Sequence, residues 1–504
     1  MPQPEDITMM TYIKESPAQI ADNVRRRREL TQPLVEAYLA GDFRNIWIVA
    51  CGSSSNASWC AAPFMRRYLD RDVVVINSAT FLYASYAPKP DTLCFVVSQS
   101  GCSTNSVEAL DKLRRMGRPA IGLTGNVEGD FKDHADVLVD WGVGTEVVGY
   151  VTKGVATLAE FLMLFALEAG RAQGSVSDAE YDSLVAQLES VPAVHEEVQA
   201  RTSAFYDLHR RDFLSIRTNY VCGFEQAYGI ACEGALKFGE TIKIPSFAFE
   251  AEEYNHGPNL QLTPAYTLFF VDDLSQGSAR MHQLYQAARH VSDHAFFLSG
   301  DAAQGDPNVF EIPADRPAEA LLEPLYLLPF FQICAYRATD ELGTWEENPL
   351  LKEAKKYAPS KTENILKVMP LLEAVSRPVG CPSSDAKGVD PMGPAPFPFL
   401  VCIRPAVAAY DAGGYMPSEK SSSSSAGSSS VNSRTDALPV SMACSVSSPR
   451  VIPSRCMQVS TSMPRLSPAT TRTLPRGMPS IAAVLKGEPP TRSHSTSTPS
   501  QPAS

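Results

Sequence analysis

The 504-residue sequence lacks any run of 18 consecutive apolar residues, although 44% of its residues are hydrophobic. A helix needs about 20 such residues to cross a bilayer, so we predict no membrane span. The first ten residues are acidic and polar and lack the apolar stretch of a signal peptide. None of the eleven cysteines forms a Cys-x-x-Cys pair, and their scatter favours reduced thiols. Together these absences predict a cytoplasmic protein.

An excess of basic charge is also missing. Lys and Arg total 44 against 56 Asp and Glu, which gives a net charge of −12. Nucleic acids attract basic surfaces, so this balance argues against a nucleic acid partner. The G-x-x-x-x-G-K-[ST] pattern of a nucleotide-binding P-loop is absent. The eight histidines show no metal-ligand spacing, so we expect no metal site.

Two serine-rich turns each follow an apolar, strand-like run. The first, at 51–56, reads Cys-Gly-Ser-Ser-Ser-Asn, and the second, at 98–103, reads Ser-Gln-Ser-Gly-Cys-Ser. The N–H groups at a helix N-terminus are unpaired and attract anions, so small hydroxyl residues between a strand and a helix suit a phosphate group. Neither turn contains a lysine, so we expect phosphate to bind through neutral donors. The competing interpretation is an ordinary polar turn in which a serine caps the next helix.

The composition of the chain changes near residue 377. Residues 378–504 hold 19 of the 39 prolines and carry 11 basic and 6 acidic residues, and the segment 421–430 is almost entirely serine. Such a chain buries too little apolar surface to offset the entropy lost when its backbone is ordered. We therefore predict that residues 378–504 form a disordered C-terminal tail.

Strand-like and helix-like segments alternate within residues 1–377, which predicts an α/β fold with two doubly wound parallel sheets. In the first unit we predict strands at 45–50, 72–77, 92–97, 119–123 and 135–140, and helices at 55–68, 103–116 and 152–169. In the second unit we predict strands at 219–223, 267–271, 294–298 and 309–312, and a final helix at 321–338. The serine-rich turns are not repeated. The first unit should therefore bind the phosphate at the carboxyl ends of its strands, and the second must supply other groups.

The second unit carries candidate catalytic residues. Glu233, Lys237 and Glu240 are spaced to share one face of a predicted helix, and His256 follows in a predicted turn. A carboxylate can remove a proton from a carbon next to a carbonyl, and a histidine can open a sugar ring. A lysine can stabilise the charge that develops on an enediol oxygen. The alternative without catalysis is that Glu233 and Lys237 form a structural ion pair and that His256 is a histidine of a surface loop.

These motifs together resemble a known family. Residues 45–350 resemble the tandem SIS (sugar isomerase) family, and they are similar to the isomerase half of glucosamine-6-phosphate synthase and to bacterial fructosamine-6-phosphate deglycases. Four motifs carry the resemblance in the family's order: Cys-Gly-Ser-Ser at 51–54, Ser-Gln-Ser-Gly at 98–101, Glu-Gly-Ala-Leu-Lys at 233–237 and His-Gly-Pro at 256–258. The resemblance implies two SIS subdomains and a sugar phosphate or amino-sugar phosphate as ligand.

The resemblance also implies roles for individual residues. Glu240 corresponds to the catalytic base, His256 to the ring-opening histidine and Lys237 to an active-site lysine. The residues that correspond to substrate and phosphate contacts are Ser53, Ser54, Ser98, Gln99, Ser100 and Ser103. In the synthase the histidine comes from the neighbouring subunit, so a homodimer with shared active sites is implied. Gly149 and Val151 replace a valine and a serine that touch the sugar in the family, so we expect a different pocket.

Two departures from the family bear on the reaction. The chain has no cysteine among its first 50 residues, so we do not expect a glutamine-hydrolysing domain. The lysine that forms a Schiff base in the synthase corresponds to Ala354 when residues are counted without gaps from Pro349, and whether Lys355 or Lys356 replaces it stays open. A deglycase does not need this lysine, because its substrate already carries the amine. The departures favour cleavage or isomerisation of a pre-formed amino-sugar phosphate.

The sequence thus predicts a specific organisation and activity. The predicted parts are a helical lead-in at 1–30, SIS domains at 31–185 and 195–350, a closing tail at 351–377 and the disordered tail at 378–504. The predicted activity is that of a sugar-phosphate isomerase or deglycase that moves a proton between C1 and C2 of a ketose or fructosamine 6-phosphate, without a metal or organic cofactor. The alternatives are a non-catalytic sugar-phosphate-binding regulator, and an aminosugar-phosphate deaminase or isomerase related to glutamine–fructose-6-phosphate aminotransferase.

Overall fold

The computed structural model of the chain describes residues 7–84, 87–144, 146–301, 305–346 and 348–368. The tail predicted at 378–504 lies outside the described residues. The described residues form two five-stranded sheets flanked by helices, and all strand pairs are parallel, which confirms the predicted α/β fold class. Across these ranges, none of the helices is long and apolar enough to cross a membrane.

A 31-residue helix, α1 (Met9–Leu39), precedes the first sheet. The strands of this sheet are β1 (Asn45–Ala50), β2 (Asp72–Asn77), β3 (Thr92–Ser98), β4 (Ile121–Thr124) and β5 (Val137–Asp140). Its helices are α2 (Ser53–Leu69), α3 (Ser78–Tyr83), α4 (Thr104–Arg115), α5 (Phe131–His134) and α6 (Lys153–Gln173). The strand order is β2-β1-β3-β4-β5. The chain leaves β1 toward one side of the sheet and β3 toward the other, so the carboxyl ends of these two strands border the crevice where such sheets bind ligands.

Two helices, α7 (Asp178–Leu208) and α8 (Arg210–Ser215), connect the sheets. The second sheet contains β6 (Asn219–Gly223), β7 (Ser246–Glu250), β8 (Thr267–Val271), β9 (Ala295–Ser299) and β10 (Val309–Glu311). Its helices are α9 (Glu225–Lys237), the π-helical turn Phe238–Ile242, α10 (Ala251–Asn255), α11 (Ser278–Arg289) and α12 (Pro324–Leu342), with 3₁₀ turns at Pro258–Gln261 and Ala320–Leu322. Two short helices follow, α13 (Pro349–Lys355) and α14 (Ile365–Val368). The order β10-β9-β8-β6-β7 repeats the topology of the first sheet, with β6 and β8 in the places of β1 and β3.

Two of the elements that the sequence analysis did not predict are an edge strand and a long helix. The edge strand β7 has only five residues, all of them at least partly exposed, and so short a run gives a weak strand signal. The helix α7 is polar along much of its length and contains Pro192. Residues 186–194, which separate the two predicted domains, lie inside α7. The predicted division of the chain into domains stays a prediction.

One hydrophobic cluster contains residues from both sheets and from the helices between them. Ile48 of β1, Phe161 of α6, Phe269 of β8 and Phe331 of α12 all belong to it, and each is fully buried. The long helix α6 is buried along most of its length because its sequence is apolar on nearly every side. The two sheets therefore share this core, and each sheet also packs a smaller cluster of its own.

The helices α2 and α9 cross at very close range. Gly229 of α9 lies so near Cys60 of α2 that a Cβ atom added at the glycine would be 2.4 Å from the Cys60 backbone nitrogen. Only glycine allows such an approach. The crossing brings the end of α9 next to the start of α2, and thus brings the charged residues of the second unit to the first serine-rich turn.

Candidate functional site

The first serine-rich turn lies at the carboxyl end of β1. Gly52 has a φ angle of 58°, in the left-handed region that favours glycine, and this conformation turns the chain directly from β1 into α2. Ser53 and Ser54 are therefore the first two residues of α2, and both are half-buried. The Ser54 carbonyl accepts a hydrogen bond from the Ser58 hydroxyl at 2.8 Å. The turn is thus a helix N-terminus, as the sequence predicts.

Glu233, near the end of α9, accepts hydrogen bonds from this turn. Ser53 Oγ donates to one carboxylate oxygen at 3.1 Å, and Asn56 Nδ2 donates to the other at 2.9 Å. The Lys237 ammonium pairs with Glu233 at 2.9 Å and with Glu240 at 2.5 Å. It also donates to Ser53 Oγ at 3.4 Å. The structure therefore joins a predicted phosphate-side serine of one sheet to the predicted catalytic carboxylate and lysine of the other.

Glu240 does not lie on the regular part of helix α9. It belongs to the π-helical turn Phe238–Ile242, in which each turn holds more residues than in an α-helix. Glu240 Oε1 pairs with the ammonium of Lys237, three residues earlier and the last residue of α9. The sequence analysis placed these residues on one face of a regular helix. The structure shows that Lys237 and Glu240 meet across the junction between α9 and this π-helical turn.

Burial separates the roles of the three charged groups. The side chains of Lys237 and Glu233 are 0% and 1% exposed, whereas that of Glu240 is 28% exposed. Burial raises the pKa of Glu233, and the positive charge of Lys237 opposes that rise. Burial alone would lower the pKa of Lys237, but the two carboxylates outweigh it and raise that pKa, so the ammonium stays charged. Glu240 is therefore the carboxylate of this network that a ligand can reach, and Lys237 is a fixed positive charge beside it.

The second serine-rich turn lies at the carboxyl end of β3, the neighbour of β1 in the sheet. Ser98 Oγ donates a hydrogen bond to Ser103 Oγ at 3.1 Å, and Ser100 Oγ accepts one from the Cys102 N–H at 3.2 Å. Gly101 has a φ angle of 63°, and a Cβ atom there would crowd a backbone carbonyl at 3.1 Å. We call the three serine side chains the hydroxyl cup. They surround the N-terminus of α4, which begins directly after Ser103.

A lysine from the end of the described chain enters the hydroxyl cup. Lys361 Nζ donates hydrogen bonds to Ser100 Oγ and Ser103 Oγ, both at 2.9 Å. The donors at this turn therefore include a charged group, because folding brings this ammonium to the turn from 258 residues away, and the binding of phosphate through neutral donors stays a prediction. Neither of the two lysines considered from the sequence makes this contact. Lys355 is exposed at the end of α13, and the exposed Lys356 pairs with a glutamate of the same helix at 2.7 Å.

Gln99 is held by a buried carboxylate. Glu146 accepts backbone hydrogen bonds at the start of α6, at 2.7 Å from Thr152, 3.0 Å from Lys153 and 2.9 Å from Gly154. Gln99 Nε2 donates to the same carboxylate at 3.0 Å. Burial raises the pKa of Glu146, while the three backbone N–H groups oppose that rise. The carboxylate thus fills the N-terminus of α6 and orients Gln99, and a Cβ atom at Gly154 would lie 2.2 Å from the Gln99 side chain.

The two positions that differ from the family lie just before α6. Gly149 is exposed, and no atom would lie within 4 Å of a Cβ atom added there. Val151 is partly buried and packs against the main hydrophobic cluster. Between them, the ring of Tyr150 lies 5.8 Å from the ring of Trp345, which belongs to the segment after α12. Space therefore remains open around Gly149, where the family carries a valine.

His256 lies apart from these groups. It is exposed in the loop after α10, and its backbone N–H donates to the Glu253 carbonyl at 3.1 Å. Within the described ranges, no hydrogen bond joins the His256 side chain to Glu240 or to the serine-rich turns. Its role in ring opening stays a prediction, as does the assignment of the other site residues.

In the second sheet, two aspartates stand where the first sheet has the second serine-rich turn. At the end of β8, Asp272 accepts hydrogen bonds from the Leu274 N–H at 3.0 Å and the Ser299 hydroxyl at 3.2 Å. Asp273 accepts one from the Gly277 N–H at 3.1 Å. These donors are therefore satisfied within the chain rather than left for an anion. Among the residues that the structure describes, no three His, Cys, Asp or Glu side chains are grouped so as to hold a metal ion.

The chain matches a known family model. Residues 39–167 match the model described as the SIS domain, and this range contains both serine-rich turns. The glutamine–fructose-6-phosphate aminotransferase [isomerizing] of Leifsonia xyli subsp. xyli is 28% identical over 358 residues, which are 68% of this chain and 57% of that protein. The Thermotoga maritima protein of the same name is 24% identical over 352 residues, with the same coverage. This chain thus spans little more than half the length of the curated relatives it matches.

Solved structures share the fold. A candidate phosphosugar isomerase from Clostridium difficile 630 superposes with a TM-score of 0.64 at 19% identity, covering 71% of this chain and 99% of that chain. The C-terminal domain of glucosamine-fructose-6-phosphate aminotransferase from Francisella tularensis superposes with a TM-score of 0.59 at 19% identity, covering 67% of this chain and 96% of that chain. Tagatose-6-phosphate ketose/aldose isomerase from Escherichia coli superposes with a TM-score of 0.55 at 14% identity, covering 68% of this chain and 96% of that chain. At these identities the likeness establishes a common fold.

Proposed function

We propose that this chain acts on a ketose or fructosamine 6-phosphate, because residues 39–167 match the SIS domain model, its sequence is similar to glutamine–fructose-6-phosphate aminotransferases, and its fold is that of a candidate phosphosugar isomerase. In this proposal the hydroxyl cup holds the phosphate, and Glu240 transfers a proton between C1 and C2 of the sugar. The chemistry needs a carboxylate that is accessible and lies beside a fixed positive charge.

One observation carries the proposal. Ser53, which follows the carboxyl end of β1, is hydrogen-bonded to Lys237, and Lys237 is paired at 2.5 Å with the partly exposed Glu240 of the second unit. The two units thus contribute to one cluster at the carboxyl end of β1, and ligands bind at such strand ends in open parallel sheets. A purely structural ion pair does not require a second carboxylate that reaches solvent.

The proposed reaction balances without an added oxidant or reductant. The Glu240 carboxylate removes the proton from C1 of a fructosamine 6-phosphate and returns it to C2, while the amine nitrogen loses a proton and the oxygen at C2 gains one. The double bond thereby moves from C2=O to C1=N and leaves an imine at C1. Water then hydrolyses the imine and releases the amine and an aldose 6-phosphate. With a simple ketose phosphate, the same transfer gives the aldose phosphate directly. Lys237 stabilises the negative charge that develops on the oxygen at C2.

Replacement of the proposed base tests this reaction. We expect Glu240→Gln to abolish turnover of fructose 6-phosphate, glucosamine 6-phosphate or fructoselysine 6-phosphate, whichever the unmodified chain converts, while binding of that compound is retained. The control is Glu196→Gln, at an exposed position of α7. Retention of full activity in Glu240→Gln would show that another group is the base. Binding of these compounds without any conversion by the unmodified chain would favour the non-catalytic regulator instead.

A further inference from the structure

The ammonium group of Lys361 lies in the hydroxyl cup without an acidic partner. It donates hydrogen bonds to Ser100 and Ser103 at 2.9 Å, and no Asp or Glu in the described part of the chain forms an ion pair with it. The residue as a whole is exposed, but its amino end is desolvated enough that burial lowers the pKa of Lys361. We call residues 359–364 the strap, because this segment crosses the cup.

Backbone hydrogen bonds fix the strap on both sides of Lys361. The Thr104 N–H, at the start of α4, donates to the Ser360 carbonyl at 3.2 Å, and the Thr362 N–H donates to the Cys102 carbonyl at 2.9 Å. The backbone hydrogen bonds therefore fix the Cα position of Lys361 next to the cup, and only the lysine side chain is free to adjust the position of the ammonium. An ordinary surface lysine has no such constraint.

The strap is anchored a second time beyond this point. Asn364 Nδ2 donates to Asp130 Oδ1 at 3.0 Å, and the Thr362 hydroxyl donates to the other oxygen of the same carboxylate. Asp130 thus binds the strap through neutral groups and leaves the ammonium of Lys361 to the cup. The arrangement places one positive charge against two hydroxyl groups of the cup, and no acidic side chain of the described residues pairs with it.

Such an arrangement is suited to an anion. A cation that has lost part of its hydration and faces only neutral oxygens is poorly compensated, and a phosphate oxygen would supply both the charge and a strong hydrogen-bond acceptor. The cup can accommodate the change, because each serine hydroxyl can accept from the ammonium or donate to a phosphate by rotating. Neither serine-rich turn contains a lysine of its own. Lys237, which reaches the first turn, is already paired with two carboxylates.

We propose that Lys361 is the cationic partner of the substrate's phosphate group and that the strap carries it into the hydroxyl cup. This inference rests on the proposed function and adds a residue to it: the phosphate is bound by the serines of one strand end and by a lysine from the far end of the described chain. Lys361 then contacts the phosphate and not the carbonyl carbon of the sugar.

Calorimetric titration with fructose 6-phosphate and with fructose tests the inference. All variants carry Glu240→Gln, so that binding is measured without turnover. We expect Lys361→Met to weaken fructose 6-phosphate binding by about 10- to 100-fold, the worth of one charge-assisted hydrogen bond, and to leave fructose binding unchanged. Lys361→Arg, which keeps the charge, should restore most of the affinity. Lys367→Met, at an exposed position of α14, is the matched control and should bind like the parent.

The outcomes separate this inference from the function on which it rests. Ser100→Ala removes one hydroxyl of the cup and so tests whether the cup binds the phosphate. If Ser100→Ala loses affinity for fructose 6-phosphate and Lys361→Met does not, the inference is overturned and the proposed function remains intact. Tighter binding by Lys361→Met would mean that the lysine blocks the cup, and a borohydride-trapped sugar adduct on Lys361 would mean that it attacks the carbonyl; either result also overturns the inference. A parent chain that does not prefer fructose 6-phosphate to fructose would remove the proposed function, and the inference with it.

Discussion

At the scale of single residues, Lys237 serves two neighbours of different character. Its pair with Glu233 is fully buried and is joined by two side chains of the first serine-rich turn, which is the setting of a structural interaction. Its pair with Glu240 reaches solvent. The structural and the catalytic interpretations of this lysine are therefore compatible, because one ammonium fixes the interface and also sets the electrostatic environment of the proposed base.

A different buried carboxylate, Glu160 of α6, makes stability depend on pH. It is fully buried, its Oε2 accepts one hydrogen bond from Asn23 at 3.1 Å, and its Oε1 has no hydrogen-bond partner. Burial raises the pKa of Glu160 well above its ordinary value of 4.5, although the bond from Asn23 opposes this. The folded chain thus holds a proton that the unfolded chain releases above pH 4.5. Stability must fall as the pH rises from that value toward the folded pKa.

We therefore expect Glu160→Gln to flatten the pH dependence of stability. Glutamine keeps the acceptor for Asn23 and has no proton to lose. The free energy of unfolding of the variant should therefore rise relative to that of the parent by up to about 1.4 kcal/mol for each pH unit above 4.5, until the pH reaches the pKa of Glu160 in the folded chain. Urea unfolding at pH 4.5 to 8 measures the free energy of unfolding of both chains. Glu36→Gln, at an exposed position of α1, is the control. Parallel pH profiles for Glu160→Gln and the parent would contradict the prediction.

At the scale of elements, the crossing of α2 and α9 assembles the site, and Gly229 is the residue on which that crossing depends. Helix propensity alone predicts that Gly229→Ala stabilises α9 by about 1 kcal/mol. The added Cβ atom would instead meet the backbone of Cys60 at 2.4 Å, so we expect a net loss of about 1 to 3 kcal/mol in the free energy of unfolding. The separation of the helices should also weaken sugar-phosphate binding.

The sign of the stability change decides this prediction. Urea unfolding of Gly229→Ala gives the free energy of unfolding, and titration with fructose 6-phosphate gives the affinity. A stabilised variant with unchanged affinity would mean that α2 and α9 can move apart without consequence for the site.

The elements that the sequence predicted well are those with strong local signals. The strands 45–50 and 72–77 are apolar runs that end at turn residues, and the structure gives them the predicted bounds. The helix predicted at 321–338 lies instead at 324–342, because Pro324 is favoured in the first turn of a helix. The edge strand β7 was missed because its five residues are too short a run to distinguish a strand from a loop.

The features of the site that escaped the sequence analysis are those without a local signal. The π-helical turn that carries Glu240 depends on a backbone register that side-chain periodicity does not encode. Lys361 reaches Ser103 across 258 residues, and nothing in the composition of the strap connects it with the turn. The serine-rich turns themselves were found because a strand, a turn of small hydroxyl residues and a helix follow one another directly in the chain.

At the scale of the whole molecule, the two sheets have the same topology but unequal ends. The strand ends of the first unit offer hydroxyl groups, whereas Asp272 and Asp273 of the second unit satisfy their own donors. One ligand site per chain is the expected result, built from the first unit's turns and the second unit's α9. The exposed His256 lies outside that cluster. An exposed position outside the cluster is expected for His256 if its side chain enters the site of a second copy of the chain.

Mixing two inactive variants tests whether His256 acts across a dimer. If each site takes Glu240 from one subunit and His256 from the other, Glu240→Gln and His256→Ala should each be inactive alone. In a mixed dimer, the subunit that keeps Glu240 would receive His256 from its partner, so one of the two sites would be intact. Random re-association should then restore about a quarter of the parent turnover, measured after the two variants are mixed in equal amounts. Separate chains with an intramolecular His256 would restore none, because every site would lack one group.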